Sequence, residues 1–149
     1  KDTILIAPSW GENSITNLCL FELVSNLINL KKNIILRPHN RSFLVDYKKL
    51  RKVINYFKKN ELFSIDRDSS SSKSMNHSEL LITDWSGISF EYILQRKPIL
   101  FIDVPPKVNN KNYHEISQIP LESSMRSDVG EIVSEKEIIN LNIRKRNVK

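Results

Sequence analysis

The strongest constraint on the fold is an alternation. Short, nearly continuous apolar runs, Thr3 to Pro8, Asn33 to His39, Leu80 to Asp84 and Pro98 to Asp103, are separated by longer segments whose apolar residues recur at helical spacing. A brief apolar run without polar alternation is what a strand buried on both faces requires, and that burial is typical of parallel sheets covered by helices. Between the first two runs, Leu18, Phe21, Leu23, Leu27, Ile28 and Leu30 predict an amphipathic helix over 15–30. After the second, Val45, Leu50, Val53, Ile54 and Phe57 predict another over 43–59. A shorter run at 62–66 supplies a third strand and Val129 to Val133 a sixth. Helices are predicted near 75–78, over 88–95 and from Glu135 onward. Pro98 is acceptable at the first position of its strand. The pattern is a Rossmann-like, doubly wound α/β fold with parallel strand order 3-2-1-4-5 and helices on both faces.

The chain has 149 residues, the size of one ordinary domain, so residues 1–149 are read as one domain with a single core. Apolar residues at 40% and charged residues at 27% exclude wholesale disorder, collagen and coiled coil. No apolar stretch approaches the ~20 residues of a membrane-spanning helix, and the start carries no signal-peptide pattern. The chain lacks an initiating Met and enters its first strand almost at once, which points to a piece of a longer protein. The lone Cys19 cannot form an internal disulfide and fits a reducing compartment. Cys19 and the three histidines offer no metal-ligand spacing, so neither a metal nor another cofactor is expected.

A formal charge of +6 admits nucleic acid, an anionic membrane surface or a phosphorylated small molecule as partner. No zinc finger, RNA-recognition aromatic motif or Gly-x-x-Gly clamp is present, so nucleic acid is not expected. The cluster Lys48, Lys49, Arg51 and Lys52 lies opposite an apolar helix face and reads first as a solvated surface. The tail from Arg144 to Lys149 adds further basic charge. The polar tract 68–74 is either a mobile loop or a loop capping a short helix, and the long segment from Val104 to Pro120 is read as loop.

Ligands of doubly wound sheets bind beyond the carboxyl ends of the strands, where the strand order reverses. The first strand is followed by Ser9 and Trp10, the second contains Arg37 and leads into His39, and the fourth runs through Thr83 and Asp84 to Ser86 and Gly87. Ser86 either caps the following helix or, with Gly87 letting a ligand approach the first-turn amides, holds a phosphate. Glu91 lies within reach of a ribose diol or is a plain surface carboxylate. His39, beside Arg37, either donates to a diphosphate and stabilises a departing one or is a polar loop residue. Asp84 reads as an organiser of the loop through amide hydrogen bonds rather than as a base. Trp10 and Trp85 are expected to pack against neighbouring loops, one of them bordering a base.

Four blocks, Ile6-Ala7-Pro8-Ser9-Trp10-Gly11, Leu36-Arg37-Pro38-His39, the run from Leu80 to Tyr92 that holds Thr-Asp-Trp-Ser-Gly and Phe-Glu-Tyr, and Lys97 to Asp103 followed by Pro106 to Asn110, resemble the CDP-glycerol glycerophosphotransferase family, the teichoic-acid polymerases and their relatives. The resemblance covers most of residues 4–113. It implies that residues 1–149 are a Rossmann-like nucleotide-binding domain, the C-terminal, donor-binding half of a GT-B architecture. It also implies a CDP-glycerol or related nucleotide-diphosphate donor, a lipid-linked polymer acceptor, and a place in the cytoplasm at the inner face of the membrane. His39, as the catalytic candidate, and Ser86 with its neighbours fall on the donor diphosphate, and Glu91 on the ribose. The chain departs from the family pattern at Asn40, where a second Pro is usual, and in the serine tract. An N-terminal GT-B domain is expected to supply the acceptor surface and general base, so this chain alone is expected to bind rather than catalyse. Two other readings stand beside it: a UDP-sugar-dependent GT-B glycosyltransferase or 2-epimerase-like domain, because Ser-Gly followed by Glu also resembles those families, and a non-catalytic module binding anionic surfaces.

Overall fold

The computed structural model describes residues 2–106, 112–115 and 117–140. Strands β1 (Thr3–Ala7), β2 (Asn33–Leu36), β3 (Phe63–Ile65), β4 (Leu80–Thr83), β5 (Ile99–Asp103) and β6 (Glu131–Ser134) form one sheet in the order β3-β2-β1-β4-β5-β6. Every neighbouring pair is parallel. The predicted order is therefore observed, extended by β6 on the outer edge of β5. Because β1 pairs with both β2 and β4, the strand order reverses between β1 and β4.

Alternate strand residues face opposite layers. Ile4 and Ile6 of β1, with Leu36, Ile82 and Ile102, pack against Leu20, Leu23 and Leu27 of α2 (Leu20–Asn29) and Leu50 and Val53 of α4 (Tyr47–Phe57). Leu5 and Ala7, with Leu81, Ile99 and Phe101, pack on the other face against Met75 of α5 (Ser72–His77) and Tyr92 of α6 (Ile88–Ile93). The single core expected from chain length is thus two apolar layers on either side of one sheet.

The helices depart from the expected boundaries for reasons that bear on the site. The segment 15–30 divides at Cys19, whose φ of −152° leaves the helical region, into α1 (Ile15–Leu18) and α2. The segment 43–59 divides at Asp46 into α3 (Ser42–Val45) and α4. The serine tract is ordered from Ser72 onward as α5, a turn earlier than the predicted helix. Between the stretch read as loop, which ends at Pro120, and the predicted sixth strand lies an unexpected helix, α7 (Leu121–Val129), which turns Met125 and Val129 inward and takes Val129 from that strand. The predicted last helix is a 3-10 helix at Glu135–Asn140. Lys107 to Asn110 of the fourth family block and the basic tail fall outside the described residues.

Gly130, between α7 and β6, is required by close approach. A Cβ there would lie 2.6 Å from the Ile99 carbonyl oxygen and 2.8 Å from the Phe101 ring.

Candidate functional site

The carboxyl end of the sheet is assembled around two buried carboxylates. Asp84, 2% exposed, accepts the amide of Ser9 at 2.7 Å through Oδ1 and that of Ile15 at 2.9 Å through Oδ2. It thereby fixes the loop after β1 and caps α1 from another strand. This is the organising role read from the sequence, and it leaves both carboxylate oxygens engaged. Asp46, 4% exposed, accepts the Gly11 amide at 3.1 Å and the Asn17 side-chain amide at 2.6 Å, while Asn17 also donates to the Gly11 carbonyl at 2.8 Å. Gly11 has φ +102°, a conformation that favours glycine. Asp46 was not singled out in the sequence. Its signal was a lone acidic residue between an apolar segment and a run of lysines, at the point where the predicted helix breaks.

His39, Arg37, Ser86 and Glu91 line one cavity of about 230 Å³, together with Pro8, Asn40, Ser69 and Ser71. Its walls come from the loops after β1, β2 and β4 and from the serine tract. His39 Nδ1 accepts the Arg41 amide at 3.1 Å, which makes Nε2 the nitrogen that carries the proton of the neutral ring. Trp10 stands 6.2 Å from the His39 ring, centroid to centroid, and the Arg41 guanidinium lies over Trp10 at 4.0 Å.

Ser86 does not cap α6. Gly87 occupies the N-cap, and Ser86 lines the cavity while its carbonyl accepts the Ser89 amide at 3.3 Å and the Ser89 hydroxyl at 3.0 Å. Gly87 itself has an ordinary φ of −62°, and a Cβ added there would meet nothing within 4 Å. Packing does not demand this glycine.

Glu91 is exposed and accepts the Ser71 hydroxyl at 2.9 Å, which ties the serine tract to the cavity wall. Arg37 faces the same cavity, but its guanidinium is paired with Asp66 at 2.7 Å and donates to the Ser69 carbonyl at 3.4 Å. Burial alone would raise the Asp66 carboxyl. Hydrogen bonds from Ser74, the Asp68 amide and Arg37 outweigh it and hold the group below its ordinary value. Arg37 therefore positions the serine tract. Thr83 is fully buried and donates to the Ala7 carbonyl at 2.7 Å, so its hydroxyl stitches β4 to β1.

Ser9 and Trp10 line a second cavity, of about 300 Å³, with Glu12, Ser14, Trp85 and Pro105. Trp85 donates from Nε1 to the Val104 carbonyl at 3.0 Å and carries the guanidinium of Arg126 at 4.0 Å. Arg126, 4% exposed, also donates to the Ile102 carbonyl at 3.1 Å; burial lowers its pKa, and Asp103 and Asp84 oppose the shift. It too escaped the sequence reading, because α7 did.

A larger cavity of about 780 Å³ runs along the exposed flank of β2 and β3, past Asn33, Ser64 and His77. It extends from Thr3 and Glu79, at the amino ends of β1 and β4, to Asp66, Arg67 and Asp68 beyond the carboxyl end of β3, and shares no lining residue with the cavity at His39 and Ser86. Among the described residues no group of three His, Cys, Asp or Glu side chains is placed to hold a metal ion, and no helix is long and apolar enough to cross a membrane.

A family model described as CDP-glycerol:poly(glycerophosphate) glycerophosphotransferase matches residues 1–112. No curated protein matches the chain. Among solved structures, the UDP-GlcNAc 2-epimerase of Methanocaldococcus jannaschii is similar over 99% of this chain and 41% of its own, with 18% identity and a TM-score of 0.61. The same enzyme in complex with UDP-GlcNAc and UDP is similar over 99% of this chain and 40% of its own, with 18% identity and a TM-score of 0.51. The chain spans about two fifths of the length of these structures, and the likeness establishes its fold.

Proposed function

The chain belongs to the CDP-glycerol:poly(glycerophosphate) glycerophosphotransferase family, and from that premise we propose that it binds the nucleotide end of a CDP-glycerol or related CDP-polyol donor within a transferase that builds a cell-surface polymer of the teichoic-acid kind. The observation that carries this reading is the convergence of His39, Ser86 and Glu91 on one cavity at the reversal point of the sheet.

In this reading the Ser86 hydroxyl and the backbone amides of Gly87 and Ile88 hold the diphosphate, and the open space beside Gly87 lets phosphate oxygens approach the backbone. Glu91 accepts the two ribose hydroxyls, with Ser71 completing that wall. His39 donates from Nε2. When an acceptor hydroxyl oxygen bonds to the phosphorus that carries the glycerol, the bridging P–O bond breaks and CMP departs. The histidine stabilises the charge that appears on that leaving phosphate. The acceptor surface and the base that takes the hydroxyl proton are assigned to a separate N-terminal domain of a two-domain GT-B enzyme, of which this chain is the donor-binding half. The chain alone is then inactive.

We also place the chain in the cytoplasm at the inner face of the membrane, where a lipid-linked acceptor is met. The exposed Lys48, Lys49, Arg51 and Lys52 on α4 support this, since basic residues near an anionic surface contribute about 1 kcal/mol each at low salt. Sedimentation with anionic vesicles at low ionic strength, and none with neutral ones, is the expected result. Equal recovery with both refutes the membrane assignment.

The structural likeness to a UDP-GlcNAc 2-epimerase favours a second reading, a UDP-sugar site. Equilibrium binding of CDP, UDP and GDP to the purified chain separates the readings. Preference for CDP supports the first and preference for UDP the second, while binding of none leaves a surface-binding module.

A further inference from the structure

The second cavity is used by none of the roles above. It adjoins the first along a ridge of consecutive residues: Pro8 and Ser86 border the nucleotide side, and Ser9 and Trp85 border the other. A ligand whose phosphates lie at Ser86 and His39 therefore has its next chemical group at the mouth of this second space.

The lining is unsuited to a phosphate. Glu12, exposed on the rim, is its one charged residue among the described residues, and a carboxylate repels an anion. Asn13 adds an exposed amide with both donors and an acceptor. Ser14 is the N-cap residue of α1, the position at which a serine hydroxyl ordinarily accepts a helix amide. Here it makes no cap hydrogen bond and its hydroxyl is closed off from solvent, so Ser14 adds to the wall without offering a polar group to a ligand. Two indoles complete the lining. Trp10 and Trp85 are each stacked at 4.0 Å by a guanidinium, Arg41 and Arg126 respectively, which holds the rings in place while they border the cavity. Rigid aromatic walls, one carboxylate and a few neutral polar groups suit a molecule with C–H surface and several hydroxyls. A volume of about 300 Å³ lies at the lower end of ligand pockets.

We propose that the cavity bounded by Trp10, Glu12, Ser14 and Trp85 is a subsite for an uncharged polyol or glycosyl unit bearing neighbouring hydroxyls, which Glu12 accepts. Such a unit has two sources: the group carried by the nucleotide donor, or the free end of the polymer acceptor. The subsite rests on the nucleotide reading for its place in a reaction, but its chemistry is that of its own lining.

Both tryptophans of the chain line this cavity, so intrinsic fluorescence reports on it directly. The test titrates the chain and its Glu12→Gln and Asn13→Ala variants with CDP, with CDP-glycerol, and with glycerol 3-phosphate in the presence and absence of CDP. If the donor's group occupies the subsite, CDP-glycerol binds about tenfold more tightly than CDP, and Glu12→Gln abolishes the difference while leaving CDP unchanged. If the acceptor's end occupies it, CDP and CDP-glycerol bind alike, and glycerol 3-phosphate binds the CDP-loaded chain in a manner that depends on Glu12 and Asn13. Failure of CDP to bind, with a Glu12-dependent response to glycerol 3-phosphate, removes the nucleotide reading and leaves the subsite standing. If no glycerol-bearing ligand responds to either substitution in any arm, or if Glu12→Gln weakens CDP and CDP-glycerol equally, the subsite is overturned.

Discussion

The carboxylate of Asp84, at the end of β4, accepts the backbone amide of Ser9 at 2.7 Å across 75 residues of sequence. Its second oxygen takes the first amide of α1, so one buried side chain sets both the loop after β1 and the start of the helix that follows it. Asp84→Ala orphans two buried N–H groups, each costing roughly 1–3 kcal/mol. Asp84→Asn, which keeps one acceptor oxygen, is expected to lie between the variant and the parent. Urea unfolding at neutral pH measures the order, and an Asp84→Ala midpoint equal to that of the parent contradicts this role.

Acid sensitivity follows from Asp66. Its folded pKa is depressed against an unfolded value of about 3.9. The stability it contributes is therefore present above the unfolded value and is lost as pH falls through the folded one. In Asp66→Asn that part of the acid transition disappears, and the stability curve flattens below about pH 4. Denaturant midpoints from pH 7 down to pH 2 show whether the two curves converge at low pH, as expected, or remain parallel.

Cys19 is expected to be inert in the native state. Burial, with Glu135, Glu22 and Asp84 nearby, pushes its thiol up to about 12, so almost no thiolate exists at pH 8. Labelling by a thiol reagent should be negligible in buffer and complete in denaturant. Rapid labelling of the folded chain contradicts the packing of α1 and α2 described above.

Gly130→Ala places a methyl carbon against the Ile99 carbonyl, which is fixed in the β5 backbone, and the Phe101 ring, which is buried in the core. A loss of about 1–3 kcal/mol is expected from this overpacking. Gly87→Ala, with nothing near its Cβ, should leave stability within about 0.5 kcal/mol of the parent. Thermal melts of the pair compare a glycine held by packing with one that packing does not need.

The sheet was legible in the sequence because a strand buried on both faces leaves a continuous apolar run, and the parallel order follows from the helical segments between the runs. Ser86, His39 and Glu91 were legible as a group through the positions they take after strands. The breaks at Cys19 and Asp46 were not, because helical periodicity continues through both residues and the cause is tertiary: Asp46 turns to Gly11 and Asn17, more than 25 residues away in sequence. The engagement of Arg37 with Asp66 was hidden for the same reason, since nothing local to either residue announces its partner. Arg126 lay on a helix whose apolar positions were too few to stand out beside Ser123, Ser124 and Asp128.

The central claim is that the cavity between β1, β2 and β4 divides a nucleotide into a phosphate end at Ser86 and His39 and a ribose end at Glu91. Calorimetric titration of the parent, Ser86→Ala and Glu91→Gln with cytidine, CMP and CDP tests it most directly. Ser86→Ala is expected to weaken CDP by roughly 1.5–3 kcal/mol and cytidine hardly at all, whereas Glu91→Gln should weaken CMP and CDP equally, by about 1–2 kcal/mol. Equal losses on all three ligands for Ser86→Ala, or no loss on any for Glu91→Gln, would contradict the assignment of the two ends.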